Sequence, residues 1–400
     1  MARKFEKPMI PFEQAFKIVL SRARPLDTET VALHESLHRI LAEDVQSDVD
    51  MPPFNKSAMD GYACRRADLQ QELTVLETIQ AGTPPSCAIG PGKCAKIMTG
   101  AMLPEGADCV FMIEYAETPR EGTVRFTGGK TADNICFRGE DTRAGDIVLR
   151  AGARLGPQHI AVLAGTGYAR PRVHRRARVG IIATGDELVE PSERPAPGQI
   201  RSSNGPQLFA QALRADALPT YYGIARDTEE AIDTSLKRAL AENDVVILSG
   251  GVSKGDFDFV PGIMQQNGIE ILFDAIAMKP GKPTTFGVSA TKYCFGLPGN
   301  PVATFIQFEA LVKPFLYKLM GHDFLEMQPV LPLATRLDPG RAERATWLPV
   351  RIGADGRVRP VEYHGSAHIH ALCGADGIIV VPAGSGVLEE GSLVRVRPLR

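Results

Sequence analysis

A short apolar run followed by two acids stands near the middle of the chain: Val179-Gly180-Ile181-Ile182-Ala183-Thr184-Gly185-Asp186-Glu187-Leu188. The apolar residues do not alternate with polar ones, which is typical of a parallel strand buried on both faces. The acids therefore follow the carboxyl end of a strand, where α/β sheets build their ligand sites. Thr184 and Asp186 also suit the start of a helix, so this stretch alone leaves helix capping and function open.

The sequence around this run alternates predicted helices and strands. A helical stretch over 204–215 leads to a strand at 218–224, and a helix over 228–241 leads to a strand at 245–248. This alternation predicts an open α/β sheet with right-handed crossovers. Nearer the N-terminus, an amphipathic helix is predicted over 11–24.

The flanking sequences predict small β-structures. Between about 45 and 177, turns rich in Gly and Pro separate short apolar runs, and short strands are predicted again after about 325. The apolar runs are 95–98, 110–113 and 147–149, and the later strands are 347–352, 377–381 and 393–396. The predicted fold is therefore multidomain, α/β plus β.

Length and composition narrow the class of protein. The 400 residues suffice for two to four domains of roughly 100–200 residues each, and a formal net charge of -2 shows no excess suited to nucleic acid. The N-terminus MARKFEKPMI lacks the apolar core of a signal peptide, and no apolar stretch reaches the ~20 residues of a membrane span. Seven dispersed cysteines without a C-x-x-C pair favour reduced thiols. We expect a cytoplasmic protein that binds neither nucleic acid nor membrane.

A second acid-bearing loop follows the strand at 245–248 and reads Ser249-Gly250-Gly251-Val252-Ser253-Lys254-Gly255-Asp256-Phe257-Asp258. Its glycines let backbone N–H groups approach an anion, and its serines add donors. The carboxylates of its two acids are hard oxygen ligands of the kind that Mg²⁺ prefers when it also binds phosphate. An ordinary glycine-rich turn is the alternative, but the loop repeats the strand-then-acid arrangement of residues 179–187.

A stiff cationic loop, Lys279-Pro280-Gly281-Lys282-Pro283, lies further along the chain. Proline restricts its backbone, glycine permits the turn, and two ammonium groups suit an oxyanion or a phosphate. A solvated loop is the alternative. The segment Gly296-Leu297-Pro298-Gly299-Asn300-Pro301 then leads into a helix predicted from about 302, whose first turn presents backbone donors.

Other features are weaker. The segment 55–63 is a polar turn beside an aromatic residue, and the arginine-rich stretch 170–178 lacks the interleaved aromatics of a nucleic-acid site. The spacing of one group of possible metal ligands matches no strong zinc signature, so metal binding is not favoured. The group is His364, His368, His370 and Cys373.

Together and in this order, the motifs resemble the molybdopterin molybdenumtransferase family, which includes the bacterial MoeA group and the gephyrin E domain. The resemblance covers nearly the whole chain. The motifs are NKSAMDGYA at 55–63, KIMTGA at 96–101, RGED at 138–141, TGDEL at 184–188, SGGVSKGDFD at 249–258, KPGKP at 279–283 and GLPGNP at 296–301.

The resemblance implies an L-shaped homodimer with four domains per subunit and a site shared between subunits. Residues 1–26 and 178–325 would form the open α/β molybdopterin-binding domain, and 326–400 a small C-terminal β-domain. A linker-like N-terminal domain would span 27–48 and 145–177, and a β-rich domain carrying SAMDGYA would span 49–144.

The resemblance also implies three groups of site residues. The acids important for activity would be Asp60, Asp141 and Glu187, and the metal ligands would be Asp227, Asp256 and Asp258. The substrate-binding residues would be Thr99, Thr184, Gly185, Asp186, Ser249, Gly250, Gly251, Ser253, Lys279, Lys282, Pro298, Asn300, Arg351 and Ser366. Arg351 is included because Pro349 stands near the position of a family arginine.

The implied function is insertion of molybdate into adenylylated molybdopterin with release of AMP. Mg²⁺ held by Asp227 and Asp258 would neutralise the pyrophosphate, and Lys279 and Lys282 would place the molybdate. A molybdopterin adenylyltransferase would be the upstream partner. The alternatives are a tungstate-selective paralogue, a molybdopterin-binding scaffold, and a relative in which the pterin-binding domain has another task.

Overall fold

The computed structural model describes residues 8–252, 259–340, 343–362 and 365–399, and the chain divides into two compact units. The α/β unit comprises Met1–Glu29, His38–Ala42 and Arg172–Arg400. The β unit comprises Thr30–Leu37 and Glu43–Pro171. The finer division into four domains stays a prediction.

The α/β unit is built on a six-stranded sheet. In spatial order its strands are Leu218–Ala225, Arg178–Thr184, Val245–Ser249, Tyr293–Leu297, Pro283–Val288 and Glu270–Ala275. The first four are parallel, which confirms the strands predicted at 179–183, 218–224 and 245–248. The central strands are buried because side chains from both of their faces enter hydrophobic cores.

The last three strands of this sheet were not predicted. Pro283–Val288 is antiparallel to both of its neighbours, so the sheet is mixed. Glu270 and Asp274 interrupt the apolar pattern of the edge strand Glu270–Ala275, which therefore lacks the continuous run seen at 179–183. An antiparallel edge on a largely parallel sheet is a common arrangement.

Helices pack on both faces of the sheet. Val179 and Ile181 share a core with Phe12–Arg22, Asn204–Arg214 and the helical segments Pro301–Gln307, Phe308–Val312 (a π-helix) and Lys313–Leu319. Ile182 faces the other way and packs with Glu229–Glu242 and Val260–Gln266. Thr228 caps the helix Glu229–Glu242, since its Oγ1 accepts a hydrogen bond from Ala231 N at 3.2 Å. The predicted helices at 11–24, 204–215 and 228–241 and from about 302 are thereby confirmed.

A second sheet of the α/β unit contains most of the C-terminal residues. Its order is Met278–Lys279, Ala345–Ile352, Gly377–Val381, Leu393–Pro398 and Val330–Pro332, and Val358–Pro360 pairs with Ala345–Ile352. The strands predicted at 347–352, 377–381 and 393–396 are confirmed. Trp347 of the strand Ala345–Ile352 is buried, with its ring centroid 4.9 Å from that of Phe12. The unit also contains the short strands Thr28–Thr30 (which the boundary between units crosses), Arg172–His174, Leu188–Val189 and Ile200–Arg201 and the short helix His370–Cys373.

The β unit is organised around another six-stranded sheet. Its order is Cys109–Met112, Gly61–Cys64, Lys93–Ile97, Glu72–Ile79, Thr123–Phe126 and Ala116–Glu117. Two further strand pairs are Lys56–Ser57 with Ile135–Cys136, and Val45–Gln46 with Ile147–Leu149. The apolar runs predicted at 95–98, 110–113 and 147–149 therefore fall on strands.

The β unit also contains a helix, Pro157–Gly165, where only β-structure was predicted. Pro157 occupies its first turn, where a missing N–H costs nothing. Gly156 N donates to His159 Nδ1 at 2.8 Å, so a side chain within the helix satisfies the backbone at its start. Among the described residues, no helix of either unit is long and apolar enough to cross a bilayer.

Candidate active site

The carboxyl ends of three parallel strands meet at one edge of the α/β sheet. Ala183 pairs with Ser249, and Ser249 pairs with Leu297, so the loops that follow these strands begin at the same level. A cavity of about 740 Å³ lies there and is lined by Thr184, Glu187 and residues of all three loops. We call it the first cavity. Its place agrees with the ligand position expected at the carboxyl edge of such a sheet.

The loop after Ser249 requires glycine. Gly250 has φ +101°, a Cβ there would lie 2.5 Å from Thr184 O, and its N–H donates to Leu297 O at 3.0 Å. Gly251 has φ +62°, and a Cβ there would lie 3.1 Å from Thr184 Oγ1. The two glycines therefore let the loop turn tightly against Thr184 and leave the cavity open to a ligand.

Asn204 holds two of these loops together. Its Nδ2 donates to Ser249 Oγ at 2.7 Å and to Gly299 O at 2.8 Å, and Ser249 Oγ also lies 3.4 Å from Pro298 O. Asn204 Oδ1 is buried and has no hydrogen-bond partner within the described part of the chain. Asn204 was not predicted as a site residue, because an asparagine at a helix start indicates nothing more than a cap.

Three acids lie at or beside the first cavity. Glu187 lines it, and a Cβ on Gly185 would lie 2.6 Å from Glu187 Oε2, so glycine makes room for that carboxylate. Asp186 N donates to Asp227 Oδ2 and Asp227 N donates to Asp186 Oδ1, each at 3.2 Å. This reciprocal pair joins the loops that follow two neighbouring strands, and it places Asp227 in the cavity lining.

A second cavity of about 790 Å³ adjoins the first. The two share Pro283, Pro298 and Asn300 in their linings. The second cavity also contains Lys279 and Lys282, which brings the predicted lysine loop beside the predicted phosphate loop. Ser366 lines it as well, where its Oγ accepts from Asn300 Nδ2 at 2.7 Å.

A buried glutamine fixes the lysine loop. Gln307 is 0% exposed, and its Nε2 donates to Gly281 O while its Oε1 accepts from Thr284 Oγ1 at 2.5 Å. Gly281 has φ +106°, and a Cβ there would lie 2.2 Å from Gln307 Nε2. The loop conformation therefore depends on a residue 26 positions away from Gly281. A glutamine within an apolar helix gives no sequence signal of this contact.

Arg344 lines the second cavity and was not among the predicted site residues. Arg351 lies at the other end of the same strand, where it is exposed and its Nε donates to Gly374 O at 3.0 Å. Substrate contact by Arg351 stays a prediction.

The other predicted acids belong to the β unit. Asp60 accepts hydrogen bonds from Thr99 N and Thr99 Oγ1, both at 2.7 Å. These bonds hold the pKa of the Asp60 carboxyl below its ordinary value, so Asp60 is ionised at neutral pH. Asp141 is exposed, and its N–H donates to Met51 O at 3.0 Å.

Within the described residues, no group of three or more His, Cys, Asp or Glu side chains is arranged to hold a metal ion. His368, His370 and Cys373 are among the described residues, and they form no such group. The predicted residues Ser253, Asp256, Asp258 and His364 lie outside the described residues.

Three family models match this chain. The MoeA N-terminal region (domain I and II) matches residues 10–167, the probable molybdopterin binding domain matches 180–318, and the MoeA C-terminal region (domain IV) matches 331–399. Together they span both units.

Relatives match over nearly their full length. The molybdopterin molybdenumtransferase of Bacillus subtilis (strain 168) is 36% identical over 405 residues, covering 98% of this chain and 94% of the relative. That of Staphylococcus aureus (strain N315) is 36% identical over 403 residues, covering 97% and 95%. A crystal structure of the molybdopterin biosynthesis MoeA protein from Pyrococcus horikoshii OT3 has a TM-score of 0.85 and 31% identity, covering 98% of this chain and 100% of that one.

Proposed function

The chain belongs to the molybdopterin molybdenumtransferase family and takes part in molybdenum cofactor biosynthesis, and we propose that it inserts molybdate into adenylylated molybdopterin with release of AMP. One observation carries the proposal: two cavities with different donors share the wall formed by Pro283, Pro298 and Asn300. A pterin dithiolene at this wall can meet molybdate from the second cavity while its phosphates lie in the first.

The first cavity suits the phosphate end of the substrate. The turn at Gly250 and Gly251 lets a phosphate approach the backbone closely, and Asn204 orients the hydroxyl of Ser249. Glu187 adds a carboxylate to the same lining. The two dithiolene thiols displace one oxygen of molybdate as water, and water cleaves the phosphoanhydride so that AMP leaves. Catalysis here consists of positioning and charge stabilisation, because the phosphoanhydride is already an activated bond.

The second cavity suits molybdate. Lys279 and Lys282 supply two cations for an oxyanion of charge −2, and the Gln307 contacts fix the loop that carries them. A preformed loop lowers the entropic cost of binding the anion. Molybdate bound there lies beside the shared wall, where the dithiolene sulfurs of the substrate would accept it.

Mg²⁺ fits the acids near the first cavity. Asp227 lines that cavity beside Asp186, and their carboxylates have the hard oxygen chemistry that Mg²⁺ prefers. Asp256 and Asp258 would complete the ligand set together with phosphate oxygens. The ion would supply positive charge that neutralises the pyrophosphate.

The two acids of the β unit would complete the site across a homodimer. The hydrogen bonds from Thr99 hold the pKa of Asp60 below its ordinary value and fix the orientation of its carboxylate, which would position the substrate. Asp141 would contribute beside it. A molybdopterin adenylyltransferase would deliver the substrate in the cytoplasm.

The proposal is tested by AMP release from adenylylated molybdopterin in the presence of Mg²⁺, with molybdate or tungstate titrated separately. We expect release that depends on micromolar oxyanion, and the two titrations rank the metals. The double variant K279Q/K282Q should need far more molybdate, whereas K318Q, which removes an exposed lysine paired with Asp323, should behave as the parent protein. Pterin binding without any AMP release would contradict a transferase and favour a scaffold.

A further inference from the structure

Three buried cysteines lie side by side in the β unit. Cys64 pairs across the sheet with Cys94 on one neighbouring strand and with Cys109 on the other. All three are 0% exposed, and among the described residues no such group is arranged to hold a metal ion. We infer that Cys64 and Cys109 form a site of reversible oxidation, at which a peroxide converts the two thiols into a disulfide that locks their strands together.

The two sulfur atoms are close enough to react. Cys64 Sγ lies 3.6 Å from Cys109 Sγ, and the two residues are direct partners on antiparallel strands. The Cα atoms of such partners lie about 4.5 or 5.5 Å apart, within the range of roughly 4.4–6.8 Å that disulfides span. A disulfide here therefore requires rotation of the two side chains and no change of strand register.

The environment of the pair selects Cys109 as the thiol that reacts first. The hydrogen bond between the two thiols, with the nearby guanidinium of Arg66, holds the pKa of Cys109 below its ordinary value. The same bond, together with burial, raises the pKa of Cys64. Burial also raises the pKa of Cys94 to about 12. Because the thiolate is the nucleophile, Cys109 attacks the oxidant and Cys94 stays reduced.

The pair lies at the ends of its strands, where a small oxidant can reach it. Cys64 is the last residue of Gly61–Cys64, and Cys109 is the first residue of the neighbouring strand. Two residues beside the pair, Arg66 and Asp108, are exposed, and Arg66 N donates to Asp108 Oδ1 at 2.5 Å. Strand ends open locally at a lower free energy than the middle of a sheet, so opening at this end admits peroxide to the thiols.

Peroxide alone balances the reaction. The Cys109 thiolate attacks one oxygen of hydrogen peroxide, the O–O bond breaks, and the other oxygen leaves as hydroxide, which takes the proton released by the thiol. Cys109 is then a sulfenic acid. The Cys64 sulfur attacks the sulfenic sulfur, the S–O bond breaks, and the hydroxyl leaves with the Cys64 proton. Two thiols and one peroxide thereby give one disulfide and two waters.

The disulfide restrains the strand that begins directly after Asp60. At the other end of the same strand pair, Asp60 O accepts a hydrogen bond from Ile113 N at 3.0 Å. Between the two ends, the rings of Tyr62 and Phe111 stack with their centroids 5.3 Å apart. The cysteines are 45 positions apart in the sequence, so joining them also lowers the entropy of the unfolded chain. Oxidation therefore stabilises the β unit and the backbone that carries Asp60.

The test treats the full chain with hydrogen peroxide in a C87S/C373S background, which removes the two exposed cysteines. Alkylation and peptide mapping by mass spectrometry should find Cys64 linked to Cys109, and dithiothreitol should reverse the link. The midpoint of thermal unfolding should rise by roughly 5–10 °C. Hydrogen exchange at the Ile113 amide should slow at least about tenfold.

Three variants of this background sharpen the result. C94S is the matched control, because it removes the buried thiol on the other side of Cys64 and should leave the disulfide intact. C64S and C109S should each lose the disulfide and the rise in unfolding temperature. If either variant fails to fold, the peptide map of the background protein decides.

Two kinds of outcome overturn the inference. One is a map without the Cys64–Cys109 link, or with Cys64 linked to Cys94, in protein whose half-buried Cys136 is already oxidised. The other is a Cys64–Cys109 link that changes neither the unfolding temperature nor the exchange at Ile113, which would show that the disulfide does not lock the strands.

Discussion

The two cavities of the α/β unit are neighbours but are built in different ways. The first depends on backbone geometry: strand register aligns three loops, and Gly250 has a conformation that admits no Cβ. The second depends on side-chain charge, with Lys279, Lys282 and Arg344 on its lining. From this difference we expect a single added Cβ to abolish most ligand binding in the first cavity. In the second cavity, each removed charge should weaken ligand binding by a further step.

The substitution G250A should have the largest effect. An added Cβ would lie 2.5 Å from Thr184 O at φ +101°, so the loop must move. We expect pterin affinity to fall by roughly a hundredfold or more and the free energy of unfolding to fall by about 1–3 kcal/mol. Pterin titration measures the affinity, and urea unfolding measures the free energy of unfolding. G262A is the control, because a Cβ there meets nothing within 4 Å. If G250A bound the pterin with the affinity of the parent protein, the first cavity would not depend on the backbone geometry at Gly250.

The substitution Q307A should weaken the second cavity selectively. It removes the bond from Gln307 to Gly281 O and the bond from Thr284 Oγ1 to Gln307, and leaves these two groups only their mutual bond of 3.0 Å, which costs about 1–3 kcal/mol of stability. The half-saturating molybdate concentration should rise because the lysine loop is no longer fixed, while pterin affinity stays within about twofold of the parent. Q265A, at an exposed position, should change stability by no more than about 0.5 kcal/mol. An equal loss of pterin and molybdate binding would argue against separate cavities.

The shared wall predicts a smaller effect on both ligands. N300A removes the hydrogen bond from Asn300 Nδ2 to Ser366 Oγ, a loss of about 1 kcal/mol. We expect pterin affinity and molybdate affinity to fall together by about threefold to tenfold. S366A removes the same bond from the other side and serves as its comparison. If N300A altered the binding of one ligand alone, Asn300 would belong to that cavity and not to a common wall.

The smallest effect on stability is expected from a substitution beside Asp60 in the β unit. T99V removes the Oγ1 bond to Asp60 and keeps the backbone bond, so the pKa of Asp60 should rise part of the way to its ordinary value. A lowered folded-state pKa stabilises the fold above the unfolded pKa, and this contribution is lost as pH falls through the folded value. The variant should therefore be less stable than the parent above about pH 4, and the difference in stability should vanish as the pH falls below the folded-state pKa of Asp60. A titration followed by carboxyl ¹³C NMR measures the pKa of Asp60, with T83V as the control variant. An unchanged Asp60 pKa would show that the Thr99 hydroxyl bond is weak.

The sequence predicted those parts of the fold whose signals are local. The unbroken run at 179–183 and the run at 245–248 each indicated a buried strand, and the glycines that follow identified the first cavity. Strand Glu270–Ala275 was missed because Glu270 and Asp274 break its apolar pattern at a sheet edge. The helix Pro157–Gly165 was missed because Gly and Pro turns dominate the sequence around it.

The candidate site was less predictable where its residues act through distant contacts. Gln307 meets Gly281 through tertiary packing, and Asn204 joins loops that follow two separate strands. Arg344 enters the second cavity because its strand pairs with Met278–Lys279, a register that no local pattern indicates. Motif resemblance named the lysines and glycines, since these stand within short contiguous segments.

The most direct test of the two-cavity account is a molybdenum anomalous difference map from crystals of the full chain grown with molybdopterin and molybdate. The account predicts an anomalous peak in the second cavity, beside Lys279, Lys282 and Arg344, with the pterin phosphate near Gly250 in the first. A peak beside Glu187 and Asp227, with no anomalous density at the lysine loop, would contradict it.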